Sequence, residues 1–293
     1  MSNQPKRVTV PAVRAMKRAQ RIGMLTAYDY PSAKIVDSAG ADIILVGDSL
    51  GMVVLGYPDT LSVTMDDMIH HTRAVARGVT HALIVGDMPY MSYHVSIEES
   101  VRNAGQFIRA GAQAVKIEGG KAQRIKTVEA ILDAEIPVMG HVGLTPQSVN
   151  VVGGFKLQGK NADDARRLMD EAIALDQAGC FSIVLECVPS ELAALITERV
   201  SAPTIGIGAG PACDGQVLVL HDLLGLYDAL APKFVRKYAE MGKEMRAAVE
   251  HYLQDVRSGR FPDGNTESFH MSTTEELKKL YGDAVVVPMP KVN

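Results

Sequence analysis

Four acidic residues each stand where a short apolar run ends: Asp48, Asp87, Glu118 and Glu186. The runs are Asp42-Ile-Ile-Leu-Val-Gly47, Ala82-Leu-Ile-Val-Gly86, Gln113-Ala-Val-Lys-Ile117 and Ser182-Ile-Val-Leu185. Each is short, rich in β-branched residues and bounded by turn signals, as a strand of a buried parallel sheet must be. A carboxylate at the carboxyl end of such a strand is costly to bury unless it is paired or holds a cation. Four of them on successive strands point to one acidic site, with a metal ion as the simplest counter-charge.

Strands and helices alternate from Ile22 onward. Capping patterns mark the helix starts: Thr64 with Asp67, Ser96 with Glu99, and Asn161 with Asp164. Met65, Met68, Ile69, Thr72, Val75, Ala76 and Val79 have helical spacing, as do Ile97, Val101, Ala104 and Ile108. Eight strands are expected. Strand 5 covers Ile136 to His141, strand 7 Pro203 to Gly208 and strand 8 Gln216 to Leu220. Eight βα units in 293 residues fit an α/β fold of the (β/α)8 or TIM-barrel type better than a doubly wound sheet. Ala39-Gly40, Ala110-Gly111 and Ala178-Gly179 each end a helix before a strand that terminates in an acid. Either this is an internal echo or it is the general use of Gly at helix ends. No interdomain linker is visible. The expectation is one domain over 1–293, with a barrel core at about 22–225, a helical segment at about 232–259 and a tail at 260–293.

Composition narrows the function. A net charge of −4 without a basic run argues against nucleic acid as a partner. No run of about eighteen apolar residues offers a membrane span. Met1 to Arg21 is basic but lacks the apolar core of a secretory signal. Three cysteines, none in a C-x-x-C pair, fit a reducing, cytoplasmic setting.

The site candidates carry alternatives. Asp48 and Asp87 suit a hard divalent ion such as Mg²⁺, with Glu118 as a third acid; singly, each could cap a helix or pair with a base. Zinc fits poorly, because His and Cys do not cluster at ligand spacing. Lys116 and Glu118 are two apart and share the interior face of a barrel strand. Lys116 is open to three roles: a structural ion pair, anion binding or a Schiff base. His141 ends a strand and is either structural or functional. Glu186 reads as a ligand, a structural acid or a general base. Ser49 could donate to a bound carboxylate or cap a turn. Gly206-Ile-Gly-Ala-Gly210 is equally a phosphate loop or tight packing at the rim. The long loops Leu50–Val63 and Val142–Lys160 leave the carboxyl face, where barrel active sites lie.

Together these runs resemble the ketopantoate hydroxymethyltransferase family. The resemblance rests on Gly47-Asp-Ser-Leu-Gly51, Thr64-Met-Asp-Asp-Met68, Asp87-Met-Pro-Tyr-Met-Ser92 and Val115-Lys-Ile-Glu-Gly119. Further matches are Gly140-His-Val-Gly-Leu-Thr-Pro-Gln-Ser148, Gly153-Gly-Phe-Lys156, Leu185-Glu-Cys-Val-Pro189 and Gly206-Ile-Gly-Ala-Gly210, with Asp214-Gly-Gln216 and Ser268-Phe-His270. It spans about residues 5 to 270. The resemblance implies a TIM barrel assembled as a homodecamer of two pentameric rings. It implies transfer of a one-carbon unit from 5,10-methylenetetrahydrofolate to 3-methyl-2-oxobutanoate, giving 2-dehydropantoate. It would make Asp48, Asp87 and Glu118 the Mg²⁺ ligands. Asp48, Ser49, Asp87 and Lys116 would contact the keto acid, and Glu186 would accept the proton. Apart from the resemblance, a mechanism that fits the residues would have Lys116 and His141 bind substrate with hydrogen bonds or charge where an enolate oxygen develops. Two rival readings are a lyase or mutase of the isocitrate lyase and phosphoenolpyruvate mutase type, and a ligand-binding barrel without turnover. The first loses ground because no Lys-Lys-Cys-Gly-His run occurs.

Overall fold

The computed structural model describes residues 7–148, 150, 154, 156–228 and 232–282. Gly153 and Phe155 of the Gly-Gly-Phe-Lys run, and the tail beyond Gly282, lie outside the described residues.

Eight strands close into a parallel barrel in chain order. They are β1 (Ile22–Thr26), β2 (Ile43–Val46), β3 (Leu83–Asp87), β4 (Ala114–Lys116), β5 (Val138–Gly143), β6 (Ser182–Glu186), β7 (Thr204–Ile207) and β8 (Gly215–Leu218). The barrel expected from the alternating pattern is therefore the observed fold. The helices of the barrel unit are α1 (Val10–Ala15), α2 (Tyr30–Ser38), α3 (Leu50–Val53), α4 (Met65–Gly78), α5 (Ile97–Ala110), α6 (Ala122–Asp133), α7 (Ala162–Ala178), α8 (Ser190–Arg199) and α9 (Leu220–Leu223). This compact unit runs to Leu223 and takes in Tyr227–Lys237. A second unit comprises Leu224–Leu226 and the chain from Tyr238 on, with α10 (Met241–Ser258) and α11 (Glu275–Tyr281). Among the described residues no helix is long and apolar enough to cross a membrane.

Strand periodicity organises the interior. Successive side chains alternate faces, so residues two apart share one. Met24, Ile43, Leu45, Val85, Ala114, Met139, Val184, Ile205 and Val217 pack together as an apolar column inside the barrel. Val8 and Val13 join it from the chain's start. The next inward positions toward the carboxyl ends are Asp87, Lys116, His141 and Glu186. The barrel interior thus changes from apolar to ionisable within one step of the strand repeat.

Local signals account for the element ends. Thr64 and Asp67 form a reciprocal capping box at α4. Ser96 caps α5 by accepting from the Glu99 amide at 3.1 Å, and Asn161 caps α7 by accepting from Asp164 at 2.9 Å. Gly40, Gly111 and Gly179 all have positive φ, which is why glycine follows alanine at these three helix ends.

Three expectations need correction. The buried face of α5 is Ser100, Asn103, Ala104, Phe107 and Ala110, whereas Ile108 is 36% exposed. Phe107 turns inward because Gly86 leaves room for its ring. Asn103 and Ser100 follow because each finds a partner: Asn103 Nδ2 donates to the Ser92 carbonyl at 2.7 Å and Ser100 Oγ to that of Ser96 at 2.6 Å. The helical segment expected at 232–259 is confined to Met241–Ser258. Pro232 instead opens a turn that the Val235 amide closes at 3.0 Å. Finally, β7 passes to β8 without a helix, so the barrel lacks one complete βα unit. In that connection Gly208 and Gly210 have positive φ, and a Cβ on either would strike Phe234 or Ser190. Close packing explains this glycine tract.

Candidate active site

The carboxyl ends of β2 to β6 bring together Asp48, Ser49, Asp87, Lys116, Glu118, His141 and Glu186, whereas Gly206–Gly210 runs on from β7. Asp87 and Lys116 are paired neighbours on β3 and β4. The Lys116 ammonium donates to both Asp87 oxygens at 2.8 and 2.9 Å and lies 3.5 Å from Glu118 Oε1. Asp48, just past β2, directs its amide at Asp87 Oδ2 over 3.3 Å. Ser49 Oγ lies 2.9 Å from the hydroxyl of the buried Tyr28. Glu186 ends β6 with its Oε2 3.6 Å from His141 Nε2. His141 Nδ1 lies 3.5 Å from Glu118 Oε1 and, among the described residues, has no hydrogen-bond partner.

These groups stand under a cavity of about 410 Å³. Asp48, Ser49, Asp87, Lys116, Glu118 and Glu186 all line it. The rest of its lining is largely apolar, with Met52, Val219 and Phe234, and also carries Asp222 and Lys233. His141 is 1% exposed and stands behind Glu118 and Glu186, off the cavity wall. Its Nε2 is 2.8 Å from the Leu144 carbonyl, which fixes that nitrogen as the protonated one in the neutral ring.

Charge is unbalanced here. Burial, then repulsion from Asp87 and Glu118, holds the Asp48 carboxyl well above its ordinary range. Burial pushes Glu118 up to about 8 against the pull of Lys116, and burial likewise pushes Glu186 up to about 8. Burial would lower the Lys116 ammonium, but Asp87, Glu118 and Asp48 reverse this and hold it protonated. A lysine so held is an ion-pair partner and a poor Schiff-base nucleophile. Burial and Lys116 push the His141 imidazole well below its usual value, so it is neutral. Four carboxyl groups thus share a buried space with one ammonium.

That donor set fits a hard divalent cation. Among the described residues no three His, Cys, Asp or Glu side chains form a ready-made metal cage. Mg²⁺ does not need one: it is usually held by one or two carboxylates, with water and substrate oxygens completing the shell. The geometry favours it: Asp48, Asp87 and Glu118 are buried together beside one cavity with Lys116 as their buried cation, so a divalent charge would offset the excess of carboxyl groups.

The sequence reading missed Gln147 and Tyr93. Gln147 lies in a 3₁₀ turn (Pro146–Ser148) after β5 and is only 5% exposed. It donates to Asp48 Oδ2 at 2.9 Å through Nε2, and its amide donates to Glu118 Oε2 at 3.3 Å. Its available signals were its position in a long loop at the carboxyl face and its place in the run Gly140–Ser148 that carries the family resemblance.

A closed parallel barrel with ionisable groups gathered under a cavity at the carboxyl ends of its strands defines a barrel enzyme. Residues 7–264 match the family described as ketopantoate hydroxymethyltransferase. The chain belongs to that family. It is 60% identical to the 3-methyl-2-oxobutanoate hydroxymethyltransferase of Syntrophomonas wolfei over 278 residues, covering 94% of this chain and 99% of that protein. Identity to the enzyme of the same name from Clostridium botulinum is 56% over 265 residues, covering 90% and 95%. The fold alone is shared with phosphonopyruvate hydrolase (TM-score 0.60, 15% identity, 96% of each chain). The same holds for 2,3-dimethylmalate lyase, a member of the PEP mutase/isocitrate lyase superfamily (TM-score 0.55, 17% identity, 92% and 94%).

Proposed function

We propose that the chain transfers a hydroxymethyl group to 3-methyl-2-oxobutanoate, with 5,10-methylenetetrahydrofolate as donor and Mg²⁺ as cofactor, to give 2-dehydropantoate. The observation that carries this reading is the arrangement of one buried ammonium, Lys116, and one separate acid, Glu186, around a single cavity. Removal of a proton next to a carbonyl needs those two elements: a base, and a positive charge where the oxyanion develops.

Asp48, Asp87 and Glu118 would hold Mg²⁺. When bound, the ion supplies Lewis-acid stabilisation of the substrate oxygens. Asp48, Ser49, Asp87 and Lys116 contact the keto acid, with Ser49 Oγ held by Tyr28 as a hydrogen-bonding group. Lys116 supplies fixed positive charge to the carbonyl oxygen as negative charge grows there. Glu186 takes the C3 proton onto its carboxylate, and the freed electron pair forms the new carbon–carbon bond to the methylene carbon; both carbon–nitrogen bonds of that carbon break, water supplies the hydroxyl, and the C3 proton and the other water proton go to the two nitrogens. Overall, keto acid, methylene group and one water give the hydroxymethyl product and tetrahydrofolate. His141 contributes to substrate binding from behind, through Glu118 and Glu186. The largely apolar remainder of the cavity lining is suited to exclude water from the folate side.

A homodecamer is part of this reading. The exposed apolar stripe of Met245, Val249, Tyr252 and Val256 on α10 accords with self-association, and the number of subunits follows from the family resemblance. A native mass ten times the 31.5 kDa of one chain is expected in light scattering. A cytoplasmic setting accords with three free cysteines. The test of the activity is an assay of purified protein with both substrates and Mg²⁺. Formation of 2-dehydropantoate that stops on chelation is expected; turnover of the keto acid without folate would favour the lyase reading instead.

A further inference from the structure

The Gln147 side chain makes three hydrogen bonds in the site. Its Nε2 donates to Asp48 Oδ2 and to the Met88 carbonyl, both at 2.9 Å. Its Oε1 accepts from the Tyr93 hydroxyl at 2.5 Å. A primary amide has two donors on nitrogen and an acceptor oxygen, so these three partners use both N–H groups and the carbonyl. They also fix which way the amide points. Flipped, Oε1 would face a carboxylate and a carbonyl, both acceptors, and the Tyr93 hydroxyl would face N–H groups. The Asp48 carboxylate and the Met88 carbonyl, which can only accept, therefore set the amide's polarity, and the Tyr93 hydroxyl anchors the oxygen left over.

Tyr93 is itself held. It is 2% exposed. The Arg124 guanidinium lies 4.2 Å from its ring centre and donates to the carbonyls of Tyr93 at 2.6 Å and Glu118 at 3.0 Å. The chain of contacts runs Arg124, Tyr93, Gln147, Asp48. At its end Asp48 accepts on Oδ2, while among the described residues its other oxygen accepts no hydrogen bond and Asp48 lines the cavity.

We propose that Gln147, anchored by the Met88 carbonyl and the Tyr93 hydroxyl, is a positioning residue for Asp48, fixing that carboxylate so that one oxygen is left for the cation or substrate. This rests on the reading that Asp48 binds Mg²⁺. Neither residue touches the reacting atoms. Partners that orient a ligating carboxylate typically cost 10- to 100-fold in metal affinity when removed.

The test is calorimetric titration of Mg²⁺ into the full-length protein with 3-methyl-2-oxobutanoate present, for the parent, Gln147→Met, Tyr93→Phe and the double variant. Each single variant is expected to weaken Mg²⁺ by about tenfold. The double variant should bind no more weakly than Gln147→Met, because Tyr93 acts through the amide. Unchanged Mg²⁺ affinity in folded Gln147→Met, or an effect of Tyr93→Phe that adds fully to it, would overturn the proposal. If Gln147→Met does not fold, Tyr93→Phe with parental Mg²⁺ affinity would do so alone. A parent that binds no Mg²⁺ would remove the metal reading itself, and this role with it.

Discussion

Lys116 and Asp87 sit side by side on adjacent strands, with the ammonium 2.8 and 2.9 Å from the two carboxylate oxygens. Strand register alone makes this pair, since both residues end their strands and face inward. The pair also lies beside the buried Glu118, so removing the lysine leaves buried acids unpaired. Lys116→Met is therefore expected to destabilise the protein by about 3–5 kcal/mol. Thermal unfolding measures it, and Mg²⁺ should raise the melting temperature more in the variant than in the parent. A variant as stable as the parent would show that the pair carries no such strain.

Gly143 stands opposite Glu186 in the β5–β6 register. Its φ is +105°, and a Cβ there would collide with the Glu186 carbonyl oxygen. Gly143→Ala should cost about 1–3 kcal/mol through overpacking. It should also lower activity beyond that loss, by moving the strand end that carries Glu186. Urea unfolding and steady-state kinetics on the same preparation separate the two effects.

Asp37 links α2 to the start of β3. It accepts from the Thr80 amide and hydroxyl at 2.8 and 2.9 Å, the His81 amide at 3.0 Å and the Ala82 amide at 2.7 Å. Burial favours the neutral acid, but these donors outweigh it and hold the carboxyl below its ordinary 3.8. A depressed folded-state value stabilises the protein above the unfolded value, and that contribution is lost as pH falls through the folded one. Asp37→Asn should therefore lower stability at pH 7, and the gap to the parent should close below about pH 4. Denaturant midpoints at pH 7 and pH 3 check the sign; a gap that widens in acid contradicts it.

Sequence reading reached the barrel and the charged layer because both rest on short-range signals. Strand ends carry acids, and residues two apart share a face, so Asp87, Lys116, Glu118 and Glu186 converge once the barrel closes. Capping pairs such as Thr64 and Asp67 act locally and were equally visible. Gln147 was not, because its partners Asp48, Met88 and Tyr93 are far away in the chain and a polar residue in a loop ordinarily faces water. The inward face of α5 was misread for a related reason. Hydrophobicity ranks Ile108 above Asn103, but Asn103 finds the Ser92 carbonyl and Ile108 finds solvent. His141 lay on the expected face, yet side-chain packing put it behind the cavity wall.

The central claim is that Glu186 removes the C3 proton of the keto acid. Proton NMR of 3-methyl-2-oxobutanoate in D₂O with Mg²⁺ and no folate tests it directly, comparing the parent with Glu186→Gln. The parent should exchange the C3 proton, and the variant should bind the keto acid but exchange at least about a hundredfold more slowly. Equal exchange in both would contradict the assignment of the base.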